Sequence, residues 1–164
     1  EVKFIEGDYD PSIFHSRIKG YENEKEGGKR CDICFELRLH EAAKAASDYG
    51  FDYFTTSLTI SPMKNAEKLC EIGEEVAKEY NVKYLPSDFK KNKGYERSIV
   101  MCREYDVYRQ CYCGCVFAAK QQGVDLREVN KEALAYLKDK HENWDKISFN
   151  FGRSKAKEAK ENHD

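Results

Sequence analysis

From Phe35 onward the apolar positions recur three and four apart: Leu39, Ala42, Ala43 and Ala46 share one stripe, and the pattern stops near Gly50. That period predicts an amphipathic helix. A second stripe follows "TISPMK", comprising Ala66, Leu69, Cys70, Gly73, Val76, Ala77 and Tyr80, with Asn65 placed to cap its start. Elsewhere the period shortens. "VKFIEGDYD" alternates and ends in turn formers, which predicts a strand over residues 2–5. "FDYFTTSL" offers aromatic and hydroxyl residues suited to a second strand, and "VKYLP" a third, closed by Pro86. "KGYENEKEGGKR" is polar and glycine-rich, hence a loop. Strands alternating with helices imply an α/β layer architecture with a parallel sheet.

Past Pro86 the rhythm weakens. A basic loop, "SDFKKNKGYERS", leads into a helix expected over residues 95–105, and the cysteine-rich "YRQCYCGCVF" follows. In "LREVNKEALAYLKDK", Leu126, Val129, Ala133 and Leu137 share a helical face. The tail "GRSKAKEAKENHD" has almost nothing to bury and is expected to be disordered.

Composition sharpens this picture. With 164 residues, 40% of them hydrophobic, the chain suits one globular domain with a core of its own. The net charge is −2, so bulk electrostatics draws it toward neither nucleic acid nor membrane, and any basic surface has to be local. No apolar run approaches the roughly 18 residues of a membrane span, and "EVKFIEG" lacks a signal-peptide pattern. A cytoplasmic location without membrane contact is the resulting expectation. The chain opens on Glu1 rather than methionine, directly at an apparent strand, which suggests that a natural N-terminal segment is missing.

Seven cysteines, an odd number, favour metal binding, redox chemistry and buried thiols over a structural disulfide framework. Cys70 lies on the apolar stripe and reads as a small core hydrophobe, as does Cys102. Cys31 and Cys34, in "KRCDICFELRL", stand at a predicted helix start behind Lys29 and Arg30. Helix N-terminus, adjacent cations and C-x-x-C spacing all lower thiol pKa values, and positions three apart can reach one metal or one cluster edge. Zinc, iron–sulfur and dithiol redox sites all use such a pair. Cys111, Cys113 and Cys115, if extended, project to one side with Cα atoms ~6.6 Å apart. That is near the long limit for a disulfide, so bonding Cys113 to Cys115 requires a bend at Gly114 and gives a strained, easily reduced link. Tyr108, Tyr112 and Phe117 either pack in the core or offer stacking faces to a nucleobase.

The ordered set "RCDICFELRL", "FDYFTTSLTISPMKN", "DFKK" followed by "R", and "YRQCYCGCVFA" resembles the epoxyqueuosine reductase family QueH, from near Glu1 to about Ala119. The resemblance implies a Rossmann-like parallel sheet flanked by helices and an oxidoreductase acting in tRNA processing. It implies two-electron reduction of epoxyqueuosine to queuosine in tRNA, with a 4Fe–4S cluster, an adjacent iron ion and an electron donor of unspecified kind. Cys31 and Cys34 match the family's C-x-x-C cluster ligands, and Cys113 and Cys115 match its redox-active C-G-C pair. Cys111 stands where the family usually has another residue. The family's adjacent Cys-Cys ligands have no counterpart, and the missing N-terminal segment is where they are expected. On this reading residues 1–122 form the family domain, 123–151 a helical appendix and 152–164 a disordered tail.

Asp32, Asp88 and Tyr112 are the candidate proton donors. For tRNA, Lys90, Lys91, Lys93 and Arg97, with Arg103 and Arg109, supply a candidate phosphate-facing patch that reads equally as a solvated charge run. Lys64 and Asn65 match a family motif at a strand-to-helix junction, where helix N-terminal amides could hold phosphate. Two other functions fit the thiols: a zinc-dependent nucleic-acid-binding module built on Cys31, Cys34 and two later cysteines, and a general thiol–disulfide oxidoreductase.

Overall fold

The computed structural model describes residues 3–110 and 112–140. Cys111, the tail and the end of the proposed appendix lie outside the described residues, as does Val2.

Six helices and two short strands are present among the described residues: α1 (Pro11–Arg17), α2 (Lys29–Asp48), β1 (Tyr53–Phe54), α3 (Ala66–Tyr80), β2 (Lys83–Tyr84), α4 (Gly94–Glu104), α5 (Val116–Gln121) and α6 (Leu126–Lys140). A 3₁₀ turn, Ser57–Ile60, follows β1. The two strands pair in parallel, Tyr53 with Lys83 and Phe54 with Tyr84, so the molecule is mixed α/β, mostly helical, around a two-stranded sheet.

The core forms where α2 and α3 pack together over one face of that sheet. Phe35, Leu39 and Ala43 of α2 meet Leu69, Val76 and Ala77 of α3, with Phe54 and Tyr84 beneath them. Strand alternation sets this geometry: Phe54 and Tyr84 are buried while Tyr53 and Lys83 face out. Asn65 caps α3 as its sequence predicts, its side chain accepting from the Lys68 amide at 3.1 Å. Asn81 ends α3 in the left-handed conformation (φ 53°), which asparagine tolerates better than most residues. Cys70 packs against this core, as its place on the stripe implies.

Three expectations change. Residues 3–5 are not a strand; they pair with no neighbour among the described residues and leave Phe4 86% exposed, and an unpaired alternating segment gains nothing from extension. The second and third strands shrink to two residues each, because "TTSLTI" turns into the 3₁₀ segment, where Thr56 caps the Leu58 amide. α1 and α5 were not predicted. Asp10 caps the Ser12 amide at 2.9 Å and Pro11 occupies the first turn, so α1 starts on a conventional signal.

Gly73 marks the closest approach of α3 to the sheet: a Cβ there would lie 2.5 Å from the Tyr84 ring. Replacing Gly by Ala in an unobstructed helix stabilises by about 0.5–1 kcal/mol. Here Gly73→Ala is expected to reverse that sign and cost about 1–3 kcal/mol through overpacking, measured by urea unfolding.

Candidate functional site

The loops that leave the C-terminal ends of β1 and β2 meet the N-terminal ends of α2 and α3, the usual position of a site in parallel α/β folds. They are tied together by hydrogen bonds. The Thr55 hydroxyl reaches the Leu85 carbonyl at 2.9 Å and the Ser87 hydroxyl at 2.8 Å. Lys90 donates to the carbonyls of Thr59 and Lys64, at 3.4 and 3.0 Å, and lies 3.4 Å from Asp88. Gly94 opens α4 where a Cβ would collide with the Phe89 carbonyl, so only glycine admits this close turn.

Cys31 and Cys34 sit in the first turns of α2. The Gly27 amide donates to the Cys31 sulfur at 3.2 Å, and Arg38 Nε donates to the Cys34 sulfur at 3.4 Å, one turn further on. That bond is the main reason the Arg38 guanidinium is held above its usual range. The C-G-C segment, irregular over residues 112–115, runs across this helix end before α5 begins. Lys64 donates to the Cys113 sulfur at 3.7 Å; Cys113 lies within electrostatic reach of Cys31, and Arg38 within reach of both Cys113 and Cys115. Cys113 therefore lies at the same end of the molecule as Cys31, on the other side of Lys64. Cys31, Cys34, Cys113 and Cys115 are all free thiols in this structure.

Two cations buried within the protein organise this meeting. Arg30 is 1% exposed; its Nη1 donates to the carbonyls of Glu22 and Glu24, and its guanidinium lies 5.3 Å from the centre of the Phe117 ring in α5. Phe117 also packs against Phe14 and His15 of α1, so its role here is packing. Lys64 pairs with Glu26 at 2.8 Å, their side chains 11% and 14% exposed. Burial works to lower the Lys64 pKa, but the Glu26 hydrogen bond and the nearby thiols outweigh it and the net direction is up. The other Glu26 oxygen accepts from Gln122 at 2.6 Å, and Gln121 donates to the Glu24 carbonyl at 2.8 Å. Loop 22–28 thus holds α5 at its far end and Lys64 at its near end.

The sequence pointed to Cys31 as an acidic thiol; the structure corrects this. Burial pushes the Cys31 thiol up, and the Gly27 amide, Lys64 and Arg30 only partly offset it. Arg30 turns its Nη1 to the Glu22 and Glu24 carbonyls while its Nε and Nη2 are buried without a hydrogen-bond partner among the described residues, and Lys29 faces solvent. Lys64 and Asn65, expected at phosphate, are occupied with Glu26 and with capping α3; Lys90 braces the loops. Lys91, Arg97 and Arg109 are exposed, and Arg109 lies 5.2 Å over the Tyr95 ring at the start of α4. Asp32 lines a cavity of about 100 Å³ with Cys31, Met63, Lys64 and Asn65, whereas Asp88 is taken up with Lys90 and Lys91. Nothing in the spacing of Glu26, Gln121 and Gln122 relates them to the thiols, whereas Arg38 carries such a signal, standing one helical turn after Cys34.

Cys31 and Cys34 supply two thiol donors from one helix face, with cations beside them that suit anionic sulfur ligands. That donor set fits half of a four-thiolate cluster. Among the described residues no group of three His, Cys, Asp or Glu side chains converges on one metal position.

Fold and site define an α/β protein with a paired-thiol centre. A sequence model described as "Epoxyqueuosine reductase QueH" matches residues 1–121, and the chain belongs to that family. Relatives carrying the same name include those of Staphylococcus aureus, 59% identical over 138 residues (83% of this chain, 58% of the relative), and Streptococcus pyogenes, 55% over 139 residues (85% and 54%). The Thermotoga maritima relative is 32% identical over 119 residues, 73% of this chain and 62% of its own. The chain spans somewhat over half the length of the first two. No helix among the described residues is long and apolar enough to cross a membrane.

The raised Cys31 value has a signed consequence. Folded Cys31 keeps its proton to higher pH than the unfolded thiol, whose ordinary value is 9.0. Its contribution to stability is complete below that value and is lost as pH climbs through the folded one. Unfolding of the metal-free chain by denaturant between pH 7 and 11 is expected to show this loss, and Cys31→Ala to remove it.

Proposed function

We propose that this chain carries the catalytic thiols of an epoxyqueuosine reductase, reducing the epoxide of that modified nucleoside in tRNA to the alkene of queuosine. The observation that carries the reading is Lys64, which donates to the Cys113 sulfur and lines one cavity with Cys31, while Arg38, bonded to the Cys34 sulfur, lies within electrostatic reach of Cys113 and Cys115. The β1–α3–β2 unit supports a Rossmann-like arrangement for residues 1–122, with 123–151 appended to it.

Stoichiometry favours the dithiol. Epoxide to alkene takes two electrons and two protons and releases water; oxidation of Cys113 and Cys115 to a disulfide delivers both. Cys31 and Cys34 would hold an iron–sulfur cluster, which would supply one-electron chemistry when bound. Lys64 and Arg38 keep positive charge beside the sulfurs throughout, and Asp32, lining the cavity, is the best-placed proton donor. That cavity, about 100 Å³, is smaller than the roughly 300 Å³ at which small-molecule pockets begin, so the nucleoside sits over its mouth rather than inside it. Lys91, Arg97 and Arg109, exposed around α4, take the tRNA phosphates.

The test is conversion of epoxyqueuosine-containing tRNA by protein reconstituted anaerobically with iron and sulfide, read by nucleoside mass spectrometry. Cys113→Ser and Cys115→Ser are each expected to lower kcat by about 100-fold or more. Arg97→Ala combined with Arg109→Ala is expected to raise KM several-fold, about 3–10, with kcat unchanged and a shallower salt dependence. Full activity in the serine variants would overturn the reading.

A further inference from the structure

Glu26 joins two parts of the site that no helix or strand connects. One carboxylate oxygen takes Gln122, at the end of α5, and the other takes Lys64, which in turn donates to the sulfur of Cys113, three residues before α5. The result is a closed circuit: Cys113, α5, Gln122, Glu26, Lys64 and back to Cys113. The ion pair is largely out of solvent, where opposite charges are screened little and a change at one is felt by its neighbours.

We propose that Lys64 and Glu26 are opposed positioning residues that set the redox poise of the Cys113–Cys115 pair, Lys64 stabilising its reduced form and Glu26 tempering that cation. The inference rests on the reading of these two cysteines as a redox pair. A positive charge beside one sulfur stabilises the thiolate form of the reduced pair relative to the neutral disulfide and so makes the disulfide easier to reduce. A carboxylate at 2.8 Å on the other side of the same ammonium weakens that effect. Arg38, Cys31 and Cys34 also lie around this centre and stay constant when Lys64 or Glu26 is changed.

The equilibrium to be measured is with glutathione. A sulfur–sulfur bond forms between Cys113 and Cys115 as they lose two electrons and two protons, and one glutathione disulfide becomes two glutathione thiols. The 164-residue chain carrying Cys111→Ser is equilibrated across glutathione ratios, and the peptide containing residues 113 and 115 is quantified by mass spectrometry. Lys64→Met is expected to shift the equilibrium roughly ten-fold or more toward the disulfide, and Lys64→Arg to stay near the parent value. Glu26→Gln is expected to shift it the opposite way, toward the dithiol, because the ammonium then faces the sulfur without its counter-charge. Opposite signs are what a merely structural clasp would not give, since loosening the loop by either substitution moves the equilibrium the same way. Shifts of the same sign, or none, overturn the proposal, and Glu26→Gln with Lys64→Arg decides it even where Lys64→Met fails to fold. Absence of any Cys113–Cys115 disulfide in the parent chain overturns the redox-pair reading itself.

Discussion

A guanidinium withdrawn almost wholly from water has to be answered by the protein around it, and at Arg30 the answer determines where the site lies. Its Nη1 takes the carbonyls of Glu22 and Glu24, and its face takes the Phe117 ring. The first contact bends loop 22–28 back against the start of α2; the second seats α5 against that same helix end. Lysine could not supply the second of these, having no planar face to stack on the ring. Because α5 is seated there, the residues just before it start from this end of the molecule, and Cys113 comes within 3.7 Å of Lys64.

The hydrophobic core supports this arrangement but does not specify it. Leu39, Ala43, Leu69 and Val76 fix α2 against α3 over the small sheet, which places Cys31 and Lys64 at the same end of the molecule. Apolar packing is non-directional, and it leaves free how the C-G-C segment approaches. Direction comes from the polar links of Glu26, Lys64, Gln121 and Gln122. The Glu26–Lys64 link is the demanding one, because removing one partner from a largely buried ion pair strands the other charge and costs up to about 3–5 kcal/mol. The same demand confines the segment to one approach.

The long amphipathic stripes are legible in the sequence because their period is internal to each helix: α2, α3 and α6 lie close to where their stripes place them, and α4, expected over residues 95–105 without a stripe, spans Gly94–Glu104. Strands were less legible, since β-structure depends on neighbours the sequence does not display. "TTSLTI" has strand-like residues, yet Thr56 caps a turn there instead. α5 was missed because alternating cysteines and aromatics in "CYCGCVF" suggest extension, although regular helix starts immediately after Cys115. At the site, the sulfurs announced themselves by spacing. Glu26 could not: its partners Lys64 and Gln122 stand 38 and 96 residues away, and nothing local distinguishes it from the other acids of its loop.

Depth sorts the basic residues in a way that their sequence clustering conceals. Lys90 and Lys91 are neighbours in one charged run, but Lys90 turns inward to carbonyls while Lys91 stays in water. Arg30 and Lys64 are buried or nearly so, and their charge acts over short, weakly screened distances on carbonyl, carboxylate and sulfur. Arg97 and Arg109 are exposed, and their charge acts through solvent on whatever polyanion arrives, with a strength that salt controls. A chain of net charge −2 can therefore hold positive charge at its sulfurs and expose it to solvent around α4 at the same time. Changes in ionic strength that weaken the outer set leave the inner one almost untouched, so the surface charge around α4 and the electrostatics of the thiol centre are separable properties of the same fold.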